Sequence, residues 1–326
     1  MRIRVASRRR VALAVVALVA AACASDEGGL VLDPPDRQSE EASPAGPRSG
    51  GRQDRNRTPT GESVDLSRTR DDVDCSAVGL GEDDIVDFMV AHVVVGGVLG
   101  EVCFGELDAT LVDAWNLLAA IAPRGQLADL GVFGGFDAEV TADETLLAFV
   151  NTLDDDGVEF QMSINLDAAQ DDPDELVLTM AHEFSHVFTA TSTQLDRSLE
   201  AIDGCDTYFN GEGCFLDDSL MFAWVESFWG DTVDELDVGV EPSVVDGIER
   251  CDADGGFFGT YAASNPEEDF AESFSAYVLR VEPSPDQQAR VDFMAAQPGL
   301  VEFRERAIEA GLGPVAGNFD QCGPGA

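Results

Sequence analysis

His182-Glu183-Phe184-Ser185-His186 sets two imidazoles four residues apart, with a carboxylate immediately after the first. On a helix, positions i and i+4 lie one above the other, so both rings project from one face and can share a tetrahedral zinc ion. Glu183 can then take a proton from a water at that metal without being a ligand itself. The pattern is short, but the chain has only three histidines and two of them fall in it. Catalytic zinc sites use three protein ligands and keep one position open, so a ligand is still missing. No third histidine follows, and the missing ligand should be an acid downstream. Glu267, Glu268 and Glu272 are the candidates. Glu268 and Glu272 stand at i and i+4 and share a face, so one could bind the metal while the other orients a histidine N–H. Ser275 falls on the same side and is small enough to let a second helix pack close.

The elements that must position these groups can be read from the flanking residues. Asp172-Pro173-Asp174-Glu175 opens a helix, with Asp172 as cap, Pro173 at N1 and Glu175 in the N3 place; it should run to about Thr189. Asn265-Pro266 opens another in the same way, ending near Arg280. Before the motif helix, residues 158–166 alternate apolar and polar, the period of a half-buried strand. Residues 216–229 read as an aromatic-rich helix, 106–121 as a helix stopped by Pro123, and 82–100, 142–152 and 284–310 as further helices. Residues 196–214 read as a polar loop, and 230–260 as irregular, with turns at Gly255, Gly256 and Gly259. His92, with no partner at metal-binding spacing, is expected to pack in a core or interface rather than bind a metal.

The motif together with Tyr261 and Asn265-Pro266-Glu267-Glu268-Asp269-Phe270-Ala271-Glu272-Ser273-Phe274 resembles the glutamate-zincins, HExxH metallopeptidases, and most of all the catalytic domain of anthrax lethal factor and its relatives. In that family a tyrosine precedes the ligand glutamate by seven residues and a second acid follows it by four. The resemblance implies that His182, His186 and Glu268 bind zinc and that Glu183 is the general base. It also implies that Tyr261 stabilises the oxyanion and that Glu272 supports a ligand. The family fold sets the two helices side by side, beside an edge strand that aligns an extended peptide; residues 158–166 look like that strand. The likeness covers about residues 158–280. The stretch between the two motif helices is longer here and holds three cysteines, so pocket shape does not carry over.

The N-terminus bears on the compartment. Residues 1–10 carry five arginines and no acid, and 11–22 are an apolar run ending in small side chains before Cys23. That is the layout of a secretory signal, too short to span a bilayer comfortably. Ala20-Ala21-Ala22-Cys23 resembles a bacterial lipobox, in which the cysteine is lipidated, although Ala20 stands where the pattern prefers leucine. Residues 23–70 are expected to form a lipidated cysteine and disordered tether, being rich in Ser, Gly, Pro, Asp and Arg. Residues 71–326 would then be the folded domain: a helical part (71–157), the active-site core (158–280) and a helical end (281–326). Six cysteines remain, an even number suited to disulfides in an exported chain. Cys205–Cys214 is the most natural pair, since it would clip a short loop. No CxxC spacing supports a thiolate zinc site.

The chain has 19 basic and 63 acidic residues, no lysine, and a net charge of −44. Nucleic acid and anionic membrane surfaces are therefore poor partners. Acid runs such as Asp154-Asp155-Asp156 lack an EF-hand spacing and read as solvated loops. The expectation is an α+β, mainly helical zincin-like metallopeptidase fold with a small sheet. It would hold Zn2+ and act on an extended polypeptide or peptide outside the cytoplasm, lipid-anchored at a bacterial membrane or else secreted. A cell-wall peptide hydrolase, or a noncatalytic surface lipoprotein whose zinc staples a binding domain, are the alternatives.

Overall fold

The computed structural model describes residues 16–20, 63–70, 86–138, 145–199, 202, 204–236, 244–316, 319 and 321–324. Cys23, most of the expected tether and Cys75 lie outside them. Six strands form one open sheet. They are β1 (Val16–Ala20), β2 (Val86–Val94), β3 (Leu99–Gly105), β4 (Leu130–Ala138), β5 (Thr145–Thr152) and β6 (Phe160–Asn165), in the order β1-β5-β6-β4-β2-β3. Only β4 and β6 run parallel; the other neighbours are antiparallel. The helices α1 (Ala109–Ile121), α2 (Arg124–Leu127), α3 (Ala168–Asp171), α4 (Pro173–Thr189), α5 (Leu220–Phe228), α6 (Val244–Ala253), α7 (Pro266–Leu279), α8 (Gln288–Ala296) and α9 (Pro298–Glu309) make up the larger share of the regular structure. A two-stranded ribbon, β7 (Leu195–Asp196) with β8 (Cys214–Phe215), and a 3-10 turn at Gly230–Glu235 complete it. The chain is thus α+β and mostly helical, with an open sheet.

Several expectations change here. Residues 82–100 are not a helix: β2 and the first residues of β3 occupy the described part. The β-branched run Val93-Val94-Val95 suits a pleated strand, and Gly96 and Gly97 take the positive φ values of 57° and 71° that the following turn requires. Residues 142–152 yield strand β5 rather than a helix. The single helix expected over 284–310 is two, α8 and α9, divided at Pro298, and residues 230–260 contain α6. Residues 63–70, expected to be the last part of the tether, lie against the domain. Val64 bridges to Leu99 and Arg68 donates to the Val95 carbonyl at 3.0 Å.

The strand expected at 158–166 exists as β6, but it is neither half-buried nor an edge. It lies between β5 and β4, and all six of its residues are buried. Phe160, Met162 and Ile164 enter the main core with α1 and α4. The opposite face is covered too, so its polar groups bond internally: Gln161 Nε2 donates to Ser163 Oγ at 2.8 Å and Asn165 Nδ2 to the Leu146 carbonyl at 3.0 Å. Gly134 permits this close layering, since a Cβ there would meet the Phe88 ring at 2.5 Å and Ser163 Oγ at 3.0 Å.

In α1 the apolar stripe Leu111, Trp115, Leu118 and Ile121 is buried as its spacing predicts, while Leu107 precedes the helix and stays exposed. Beneath α4 and α7 the core is aromatic. Phe188 meets Phe274 at 5.2 Å, and Phe274 meets Phe303 of α9 at 5.1 Å, both edge-on. Such pairs add about 0.5–1.5 kcal/mol each beyond area burial. They fix α4 and α7 against α9 from below, which leaves the histidine face of α4 turned elsewhere.

Candidate metal centre

The motif helix begins as its residues dictate. Asp172 accepts from the backbone N–H of Asp174 at 2.9 Å and of Glu175 at 3.3 Å, Pro173 sits in the first turn, and α4 ends at Thr189. Within it Phe184 and Phe188 go to the aromatic core, and His182 and His186 share another face with their rings 5.0 Å apart. α7 is capped in the same manner, Asn265 Oδ1 accepting from Glu268 N–H at 2.9 Å. The cap therefore fixes the residue whose carboxylate turns to the histidines.

Three groups converge. His182 Nε2 stands 3.0 Å from Glu268 Oε2, His186 Nε2 stands 3.6 Å from the same oxygen, and the two Nε2 atoms are 3.2 Å apart. All three residues are buried, and they are the one group of three or more potential metal ligands among the described residues. Ligand atoms 2.0–2.1 Å from a tetrahedral centre stand about 3.3 Å from one another. The observed separations bracket that value, and two imidazoles with one carboxylate are a donor set that suits zinc. The residues fit a metal.

Around the three, Glu272 Oε1 lies 3.2 Å from His182 Nδ1. A proton held on Nδ1 by that carboxylate leaves the Nε2 lone pair for a metal. Glu183 is fully buried, and neither of its carboxylate oxygens meets a hydrogen-bond donor among the described residues. Burial, augmented by the charges of Glu268 and Glu272 against the pull of His182, pushes its carboxyl up to about 8. Burial also opposes ionisation of Glu268, but His186 and His182 outweigh it and hold that carboxyl at about 2. His182 is displaced upward: Glu272 and Glu268 favour its charged form more than burial disfavours it. Metal uptake at such a site releases protons.

Tyr261 sits in the turn before α7. Its ring centroid is 6.1 Å from that of His182, and burial with the nearby carboxylates of Glu268, Glu183 and Glu272 pushes the phenol well above its ordinary value. Arg250 of α6 secures that turn, donating to the carbonyls of Ala263 at 2.6 Å and Ser264 at 2.8 Å. Of the three acids left open as third ligand, Glu268 alone joins both histidines. Glu272 stands behind His182, and Glu267 turns away to accept from the Tyr208 hydroxyl at 2.9 Å.

Asp269 is the residue the sequence did not single out. It is completely buried, accepting from Trp224 Nε1 at 3.1 Å, Trp229 Nε1 at 3.0 Å and Arg290 Nε at 2.8 Å. It thereby ties the ligand-bearing turn of α7 to α5 and α8. In the sequence it is one of three consecutive acids in a helix's first turn, where solvated acids are favoured in any case, and no local signal separates it from its neighbours. His92 is buried as expected, its Nδ1 2.9 Å from the Gly100 carbonyl. Two disulfides join described cysteines, Cys205–Cys214 and Cys251–Cys322; Cys103 is also disulfide-bonded.

Compared with known protein families, curated proteins and solved structures, the chain matches none. The likeness to the glutamate-zincins therefore rests on the motif residues and on the cluster they form.

Proposed function

We propose that this protein is a zinc-dependent peptidase that hydrolyses peptide bonds of an extracytoplasmic polypeptide. The observation that carries the reading is the buried His182–His186–Glu268 cluster with the unpartnered carboxylate of Glu183 beside it. Zinc bound by those three would lower the pKa of water and polarise a carbonyl. Glu183 then accepts the proton of the attacking water and returns it to the departing amine. Tyr261 donates its hydroxyl to the carbonyl oxygen as negative charge builds there. Glu272 keeps His182 in the tautomer that presents Nε2, and the Asn265 cap holds Glu268 in place.

The cleft beside His186 is lined by Val150, Asn151 and Thr152 of β5 and by Phe160 at the start of β6, and of these two strands β5 lies nearer the sheet edge. β1 covers its outer edge, and β1 lies inside the segment read as a secretory signal. Under this proposal processing at Cys23 removes β1, lipid on Cys23 anchors the chain to the membrane, and β5 offers its edge to an extended substrate.

The second reading is a noncatalytic surface lipoprotein whose zinc staples α4 to α7. The deep burial of all three ligands favours it, whereas a structural site has no use for Glu183. The test is zinc content and peptide-library cleavage for the wild type and Glu183→Gln. The peptidase reading expects one zinc in each and cleavage by the wild type alone. Zinc in both, with no peptide or cell-wall crosslink cut, establishes the staple; absence of zinc from unchelated protein removes both.

A further inference from the structure

Beside His186 a small cleft of about 50 Å³, open to solvent on one side, runs between the end of β5 and the β7–β8 ribbon. Phe160 and Phe215 form apolar walls, and Asn151 and Glu267 also line it. Two hydrogen-bond acceptors on that lining are shut off from water without a donor among the described residues: Glu267 Oε1 and Asn151 Oδ1. Buried acceptors left unmatched cost about 1–3 kcal/mol each, so their persistence at a cleft wall points to a donor arriving from outside.

The Glu267 carboxyl is held rather than mobile. Tyr208 donates to its other oxygen at 2.9 Å and stacks on Phe215, ring centroids 5.6 Å apart and nearly parallel. The one arginine on the lining is already committed. Arg197 Nη1 donates to the Ala190 carbonyl at 2.6 Å, Nη2 pairs with Glu212 at 3.2 Å, and the guanidinium lies over the Phe160 ring. Arg197 pairs with Glu212, and Glu267 is the remaining acid on the lining. The Cys205–Cys214 disulfide closes the loop that carries Asn210 and Glu212, so this wall is covalently braced.

We infer that this cleft is a side-chain subsite selecting a basic residue, arginine or lysine, next to the scissile bond of the substrate. The stem of such a side chain lies along Phe160 and Phe215, and its N–H groups reach the Glu267 and Asn151 oxygens. The inference rests on the peptidase reading for what it calls the scissile bond, but binding can be measured separately.

The test compares two peptides that differ only in arginine against citrulline, its uncharged isostere, on zinc-loaded Glu183→Gln protein. It is run at about 0.5 M salt so that the general negative field of the chain is screened. The arginine peptide should bind roughly 10-fold or more tightly, since citrulline has fewer N–H donors and no positive charge to offer the two acceptors. Adding Glu267→Gln should abolish that ratio at unchanged zinc content. Asn151→Leu should reduce it, and serves if Glu267→Gln fails to fold. Equal binding of the two peptides overturns the inference, as does a ratio that survives both substitutions. If the ratio holds while wild-type protein cuts no peptide, the subsite stands and the peptidase reading falls.

Discussion

Glu268 and Asp269 are neighbours with opposite duties. One carboxylate meets two histidines; the next is buried among two indoles and a guanidinium that is itself almost wholly enclosed. Removing a buried partner leaves the other charge uncompensated, so Asp269→Ala should cost about 3–5 kcal/mol. Urea denaturation of the zinc-free protein measures this, and a loss under about 1 kcal/mol would refute the anchoring role. His92 permits a prediction on pH. Burial, against the pull of the Gly100 carbonyl, lowers its proton affinity from the ordinary value of 6.5, and Nε2 meets no acceptor among the described residues. The unfolded chain then binds the extra proton more readily than the folded one. Stability from this group is intact above pH 6.5 and is lost as pH falls below it toward the depressed folded value. Thermal melts between pH 7.5 and 5 should show a steeper decline for the wild type than for His92→Gln, and equal slopes would contradict this.

At the scale of elements the caps and strand β6 are legible in the sequence, whereas β2 and β5 are not. Asp172-Pro173 and Asn265-Pro266 open α4 and α7 at the expected residues because capping is local chemistry, satisfied within four residues. The residues of β5 show no strand signature because tertiary packing buries both its faces over Ala148–Asn151, which removes the alternation that marks a half-buried strand. Polar residues in β6 suggested a solvent face, yet Gln161 and Ser163 bond each other inside the protein. The β1–β5 pairing leads to a measurement. In a chain beginning at Cys23, β5 amides that point toward β1 should exchange with solvent faster, while the alternate amides bonded to β6 stay protected. Uniform protection along 145–150 would show that the edge is covered by something other than β1.

For the molecule as a whole, charge is the dominant fact. At −44, self-repulsion weakens the compact state and salt relieves it. Raising sodium chloride from about 0.05 M to 1 M should raise Tm, with most of the gain in the lower part of that range, where the screening length changes most. A flat or falling Tm would show that local ion pairs outweigh the net field. Among the described residues no helix is long and apolar enough to cross a membrane.

The sequence alone determined the chemistry of one face of α4. Two histidines and a glutamate at that spacing have a single arrangement on any helix, and the capping residues place the helix itself. It also narrowed the partner of those histidines to three acids in one helix. Which acid joins them was decided by how α7 packs on α4, and that depends on contacts distant in sequence: the Phe188–Phe274–Phe303 stack, the Asp269 anchor to Trp224, Trp229 and Arg290, and the Arg250 clamp on the turn carrying Tyr261. The cleft beside His186 is likewise a product of the fold, since its unpaired acceptors come from β5 and α7, more than a hundred residues apart. Local spacing sets which groups a helix presents; packing between remote segments sets what they meet.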